Sequence, residues 1–169
     1  SGPNSVINVA TLQTALATAN VSLQTGRTSS SPGTQAGNIT VGAPITWSQA
    51  TTLTLDANNN IIIGEAITAP AGGLILNAGG AITTPASYGR SDGTTAASAT
   101  TGAVNVGTFL LEAGAWTQVS NPLPAFSATD FRLNGGSFLR VLGGDGSAGN
   151  PYAISDVYGL QGINTVRNS

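Results

Sequence analysis

Leu53-Thr54-Leu55-Asp56-Ala57 and, 21 positions later, Leu74-Ile75-Leu76-Asn77-Ala78 are two copies of one pattern, and Ile61 returns at the same shift as Ile82. One rung earlier, Asn38, Ile39, Val41 and Ile45 return as Asn60, Ile61, Ile63 and Ile67, now 22 positions on. A period of this size marks one supersecondary unit stacked on its copy, because a single unit cannot bury its apolar face alone. Within the unit, Leu53-Thr54-Leu55, Ile61-Ile62-Ile63 and Leu74-Ile75-Leu76 alternate with period two, and Asn, Gly and Pro punctuate the intervals. Three short strands per period predict an all-β fold, a parallel β-helix in which residues of the same phase pile into dry columns.

Composition limits what such a stack could bind. The 169 residues fit one domain, and charged residues make up 7% of them, against roughly 25% in ordinary soluble domains. Five Arg, no Lys and a net charge of -2 leave no basic stripe, which excludes nucleic acid and an anionic membrane surface as partners. Apolar runs are a few residues long, well short of the roughly 20 needed for membrane insertion. Cysteine is absent, so there is no disulfide framework and no thiolate metal site. Met is absent and Ser1-Gly2-Pro3-Asn4 carries no signal-like run, which suggests a processed chain or a segment of a longer one.

Along the chain, residues 1–25 read as a strand-helix-strand cap. Val6, Ile7 and Val9 suggest a strand; Leu12, Ala15, Leu16 and Ala19 keep helical spacing with Thr11 as the expected N-cap; Val21-Ser22-Leu23 returns to period two. Residues 26–108 read as regular coils with loop excursions at 26–36 and 85–101. Residues 109–169 hold seven of the nine aromatic side chains, read as denser coils and a junction to a following module. The opening is echoed near the end: Ile7 maps to Ile154 at a shift of 147, and Leu12-Gln13 to Leu160-Gln161 at 148. The chain is thus expected to contain one module and the start of the next.

Without His, Cys or Lys, triad, thiol and Schiff-base chemistry are excluded, leaving carboxylates, hydroxyls and Arg. Asp130 and Asp145, near Arg132 and Arg140 in the aromatic stretch, are the best candidates for a glycosidase-type pair or a sugar site, with Trp116 as a stacking surface. The structural alternative is that Asp130 caps a turn and the Arg residues pair with nearby acids. Gly143-Gly144-Asp145-Gly146-Ser147 is like half of a calcium repeat, but a single copy supplies too few oxygens, and a turn held by Asp145 explains it. Thr51, Thr52 and Thr54 suggest an ice-binding face, yet Thr54 is followed one period later by Ile75. Asn38, Asn58, Asn59, Asn60 and Asn77 are expected at corners, bonding between rungs. The glycosylation patterns at Asn20 and Asn38 are chance matches in a chain this rich in Asn, Ser and Thr. No metal and no cofactor is implied.

The rungs Gly37-Asn38-Ile39-Thr40-Val41, Ile45-Thr46-Trp47, Leu53 to Ala57, Ile61-Ile62-Ile63 and Leu74 to Ile82 resemble those of filamentous-haemagglutinin-type exoproteins. The block from Trp116 through Asp130-Phe131-Arg132 and Gly143-Gly144-Asp145-Gly146 to Pro151-Tyr152 and Tyr158-Gly159-Leu160-Gln161-Gly162-Ile163 resembles repeat-linking segments of giant bacterial adhesins. Together the likeness spans residues 37–163. It implies a right-handed β-solenoid with a short N-terminal capping helix, two-partner secretion and an extracellular or cell-surface location. It further implies a non-catalytic role in adhesion or biofilm, as part of a fibre. Partners would be copies of itself, adjacent modules, or host or matrix glycans and proteins. The secretion domain of that family has no counterpart here, and none of its binding residues maps onto this chain. Two other classes fit the same rungs: a carbohydrate-active β-helix enzyme and a carbohydrate-binding module.

Overall fold

The computed structural model describes residues 5–26, 37–89, 95–96 and 101–166. Helix α1 (Val9–Leu16) is followed by strands β1 (Val21–Gln24), β2 (Ile39–Val41), β3 (Ile45–Thr46), β4 (Thr52–Ala57), β5 (Ile61–Ile63) and the long β6 (Ile67–Thr83). After β7 (Tyr88–Gly89) and β8 (Thr95–Ala96) come β9 (Val104–Val119), β10 (Phe126–Leu133), β11 (Ser137–Val141) and helix α2 (Val157–Val166). Nine of these strands form one curled sheet in which every pairing is parallel. Parallel pairing follows from the repeat, because a strand that returns to its neighbour after about 21 residues of chain points the same way, whereas a tight hairpin would reverse it.

Register turns the sequence period into columns. Leu23, Leu55, Leu76, Leu111 and Leu133 occupy successive rungs, and the middle three are buried. Beside them run Val21, Leu53, Leu74, Phe109 and Phe131. On the adjoining stretches run Ile39, Ile61, Ile82, Trp116 and Phe138, and Ile45, Ile67, Val104 and Phe126. The predicted vertical pairing of Leu55 with Leu76 is therefore present. Three of these columns change from aliphatic to aromatic at the carboxyl end, which is why the aromatics cluster in sequence. Phe109 stacks on Phe131 at 5.4 Å between centroids and Trp116 on Phe138 at 5.3 Å, close to the roughly 4.8 Å strand spacing.

Asparagines tie the corners as expected. The Asn60 amide donates to Asn38 Oδ1 at 3.1 Å, and one rung on the Ala81 amide donates to Asn60 Oδ1 at 2.8 Å. The rise to the next rung survives an insertion: Ile45 pairs with Ile67, 22 residues later, but Ile67 pairs with Val104, 37 later. The expected excursion at 85–101 absorbs the difference. Of it, β7 and β8 form a small antiparallel pair, while residues 90–94 and 97–100 lie outside the described residues, as do residues 27–36 of the other excursion.

The amino-terminal cap differs in detail from its expectation. Asn8, not Thr11, is the N-cap, its side-chain oxygen accepting from the amides of Ala10 at 2.9 Å and Thr11 at 3.4 Å. Val9 thus belongs to the helix, Val6 and Ile7 lie in no strand, and Ala19 falls beyond the end. An Asx side chain at the first extended residue outcompetes a Thr one turn later, and Val9 is tolerated where the helix is least crowded. Leu12 and Leu16 are buried against the first rung. Gln13 Nε2 donates to the Thr46 carbonyl of β3 at 2.7 Å, and the Thr51 hydroxyl donates to the Leu16 carbonyl.

Replacing Leu55 by Ala opens a hole between two rungs that cannot close without shifting both. Urea denaturation is expected to show a loss of about 3 kcal/mol, against less than about 0.5 kcal/mol for Thr54→Ala on the outward phase of the same strand.

Candidate functional site

The five residues singled out in the sequence fall into four separate places. Trp116, on β9, is fully buried. Its ring lies between Phe138 in a stacked arrangement and Phe109 and Phe126 edge-on, so it offers no face to a sugar. Its indole N–H is buried without a partner among the described residues, and what the ring supplies is packing area.

Asp130 and Arg132 stand on the outward phase of β10, paired to each other. Arg132 Nε donates to Asp130 Oδ1 at 2.9 Å and its terminal nitrogen lies 2.5 Å from Oδ2. The hydrogen bond from Arg132 holds the Asp130 carboxyl below its ordinary value, opposed by slight desolvation and helped by the positive charge. That direction suits a fixed anion, not a proton donor. Asp145 sits in the turn after β11, accepting from the Ser147 amide at 2.9 Å. The Ser147 side chain and amide, then the Asn150 side chain, push its pKa down. Asp130 and Asp145 thus belong to different local networks, each satisfied by neighbours.

Arg140 occupies the centre of a fourth group, of which Gln118 is not singled out in the sequence. It is on the inward phase of β11, two residues after Phe138, and is buried at 4% exposure. Its Nε donates to Asp156 Oδ2 at 2.7 Å, one terminal nitrogen to Gln118 Oε1 at 2.5 Å and the other to the Pro124 carbonyl at 2.9 Å. The guanidinium carbon lies 5.4 Å from the centre of the Phe126 ring. Asp156 Oδ1 accepts in turn from the Gly159 amide at 2.8 Å, so one carboxylate both neutralises the buried Arg and caps α2. The expectation that the Arg residues pair with nearby acids therefore holds for Arg132 and Arg140. Gln118, two residues after the inward Trp116, and Arg140, two after the inward Phe138, share one phase, and that parity is the signal that could have found them.

α2 closes this end of the stack. The Tyr158 hydroxyl accepts from the Ala128 amide at 2.9 Å and donates to the Ala128 carbonyl at 3.1 Å, satisfying both edge groups of one β10 residue. The Thr165 hydroxyl accepts from the Phe138 amide at 2.8 Å. An unpaired parallel edge is a template for further strands, and these hydroxyls occupy it. An open trough of about 640 Å³ is lined by Gly79, Gly80, Gly114, Gly136, Ser137 and Thr165, with none of the five candidates in it. Among the described residues no three acidic side chains converge on a point, and no helix is long and apolar enough to cross a membrane.

Arg140→Met keeps volume but strands Asp156 and Gln118, and is expected to lower stability by about 3 kcal/mol in denaturant melts; adding Asp156→Asn should recover part of it. Asp145, with its folded pKa depressed, contributes stability above its unfolded value that disappears as pH falls through the folded one. Carbon-13 NMR titration should place its midpoint below 3.8, and Ser147→Ala should move the midpoint back up. No known family pattern, no curated protein and no solved structure matches the chain.

Proposed function

We propose that the chain is a right-handed parallel β-helix module of a bacterial cell-surface or secreted fibre, non-catalytic, whose work is reach, display and adhesion. The observation that carries this reading is the set of columns that run from β1 to β11, kept across the register shifts between β6 and β9 and met at each end by a helix. Such a body suits a spacer. Handedness follows from the strong preference of parallel crossovers for the right-handed sense. The resemblance of the rungs to filamentous-haemagglutinin-type proteins adds the surface location and export by two-partner secretion.

The chemistry of the side chains supports a passive role over the carbohydrate-active alternatives. Asp130 is held by Arg132, Asp145 by its own turn and Arg140 by Asp156, so each is accounted for by structure. Ligand contacts of an adhesive module would then come from outward loops, the excursions at 26–36 and 85–101 first among them, because loops on a rigid scaffold vary without disturbing it.

Two measurements test the reading. Antibody against the folded chain should label intact producing cells, and beads coated with it should adhere to host cells or matrix glycans. A screen against polysaccharides should release no reducing ends. Cleavage that disappears in Asp130→Asn or Asp145→Asn, or labelling obtained only after lysis, would overturn the assignment.

A further inference from the structure

The two helices present opposite sides of one design. At a shift of 148, Asn8, Val9, Leu12 and Gln13 correspond to Asp156, Val157, Leu160 and Gln161, and each helix begins on an Asx side chain that accepts from the amides of its first turn. In α1 the face formed by Val9, Leu12, Gln13 and Leu16 is turned onto the first rung. Leu12 is 5% exposed, Leu16 is fully buried, Val9 packs on the core, and Gln13 holds the Thr46 carbonyl. In α2 the corresponding face points away from the sheet, with Val157 and Leu160 each 63% exposed and Gln161 exposed beside them.

The reverse sides are exchanged in the same way. α2 rests on β11 through Gly159 and Gly162, both buried, and a Cβ at either would collide with the carbonyl oxygen of Arg140 or Phe138. At the matching positions α1 carries Thr11 and Thr14, both exposed. With about 100° between successive residues, these two faces lie on opposite sides of the helix. α1 is therefore shaped for the stack that follows it and barred from the one before. α2 fits the stack that precedes it and also carries, unused, most of the surface by which α1 docks.

We propose that the outward face of α2, Val157, Leu160 and Gln161, is a docking face for the amino-terminal edge of a second copy of this chain, where α2 takes the seat of that copy's own α1. The occupant is fixed by the interface already present within the chain: Val9, Leu12 and Gln13 on the β1 and β3 edge show what covers such a face. Among the described residues that form the two faces none is charged, so none of them repels the approach. The contact is heterologous, joining tail to head, and repeats into a filament. One position is unmatched: Asn164 stands where α1 has Leu16, so the resident α1 holds its seat more strongly and exchange is set by that leucine. The biological use rests on the fibre reading above, whereas the contact itself does not.

The chain contains no Cys, which makes a cross-linking test clean. Gln161→Cys and Thr46→Cys, both at exposed positions, would be prepared as separate full-length variants, mixed in equal amounts and treated with a short bismaleimide. Mixed dimers should exceed like-with-like dimers several-fold. Their yield should rise when Leu16→Asn weakens the resident helix in the Thr46→Cys partner. It should fall to the like-with-like level when Leu160→Glu is added to the Gln161→Cys partner. Circular dichroism checks that each variant is folded, with Leu16→Val replacing Leu16→Asn if the latter is not. Mixed dimers no more frequent than like pairs, or a yield indifferent to Leu160→Glu, would overturn the proposal. Adhesion without the cross-link sinks this junction alone; the cross-link without adhesion leaves it standing and sinks the adhesive reading.

Discussion

Pairing of a strand with its own copy one repeat later, in parallel and in register, is the constraint from which the rest of the structure follows. It sets inward side chains on inward ones above and below, so Leu55 meets Leu76 and Phe109 meets Phe131. A one-residue slip would turn every inward side chain outward, and the length of the columns makes that penalty cumulative. The Asn38 and Asn60 side chains, bonded to the backbone of the next rung, fix the same register at the corners. Hydrophobic burial and directional hydrogen bonds thus select one alignment by independent means.

The ends obey a different logic, because the last rung has no neighbour to satisfy it. Each end is met by a short helix that begins on an Asx residue and uses polar side chains to complete the edge: Gln13 at β3, Tyr158 and Thr165 at β10 and β11. The buried Arg140 belongs to this solution. Its charge is costly to desolvate, and three acceptors together with an aromatic face offset that cost. It thereby links the final strand, the loop before β10 and the start of α2 into one unit.

Much of this was legible in the sequence, for reasons that can be named. Strand phase and the corner asparagines are set by local pattern, and the spacing of 21 to 22 residues aligns the rungs within β2 to β6 and within β9 to β11. Three things were not legible. Asn8 and Thr11 both suit a helix start, and only the backbone before Val9 decides between them. Trp116 and Arg140 look like ligand contacts by type, and only counting phase from Phe138 shows that both turn inward. The partnership of Arg140 with Asp156 spans a turn and a change of direction that no periodicity encodes. Residue type suggested a site; residue phase removed part of it.

The insertion between β6 and β9 has a consequence for how such a chain can change over time. Some fifteen extra residues enter there, since 37 less 22 is 15, yet the rungs on either side still meet. The entropic cost of closing a longer connection grows slowly, about 0.6 kcal/mol for each doubling. That corner can therefore accept new sequence with little effect on the body that carries it. Selection could rewrite what the molecule shows to its surroundings at this one bend while the interior drifts hardly at all.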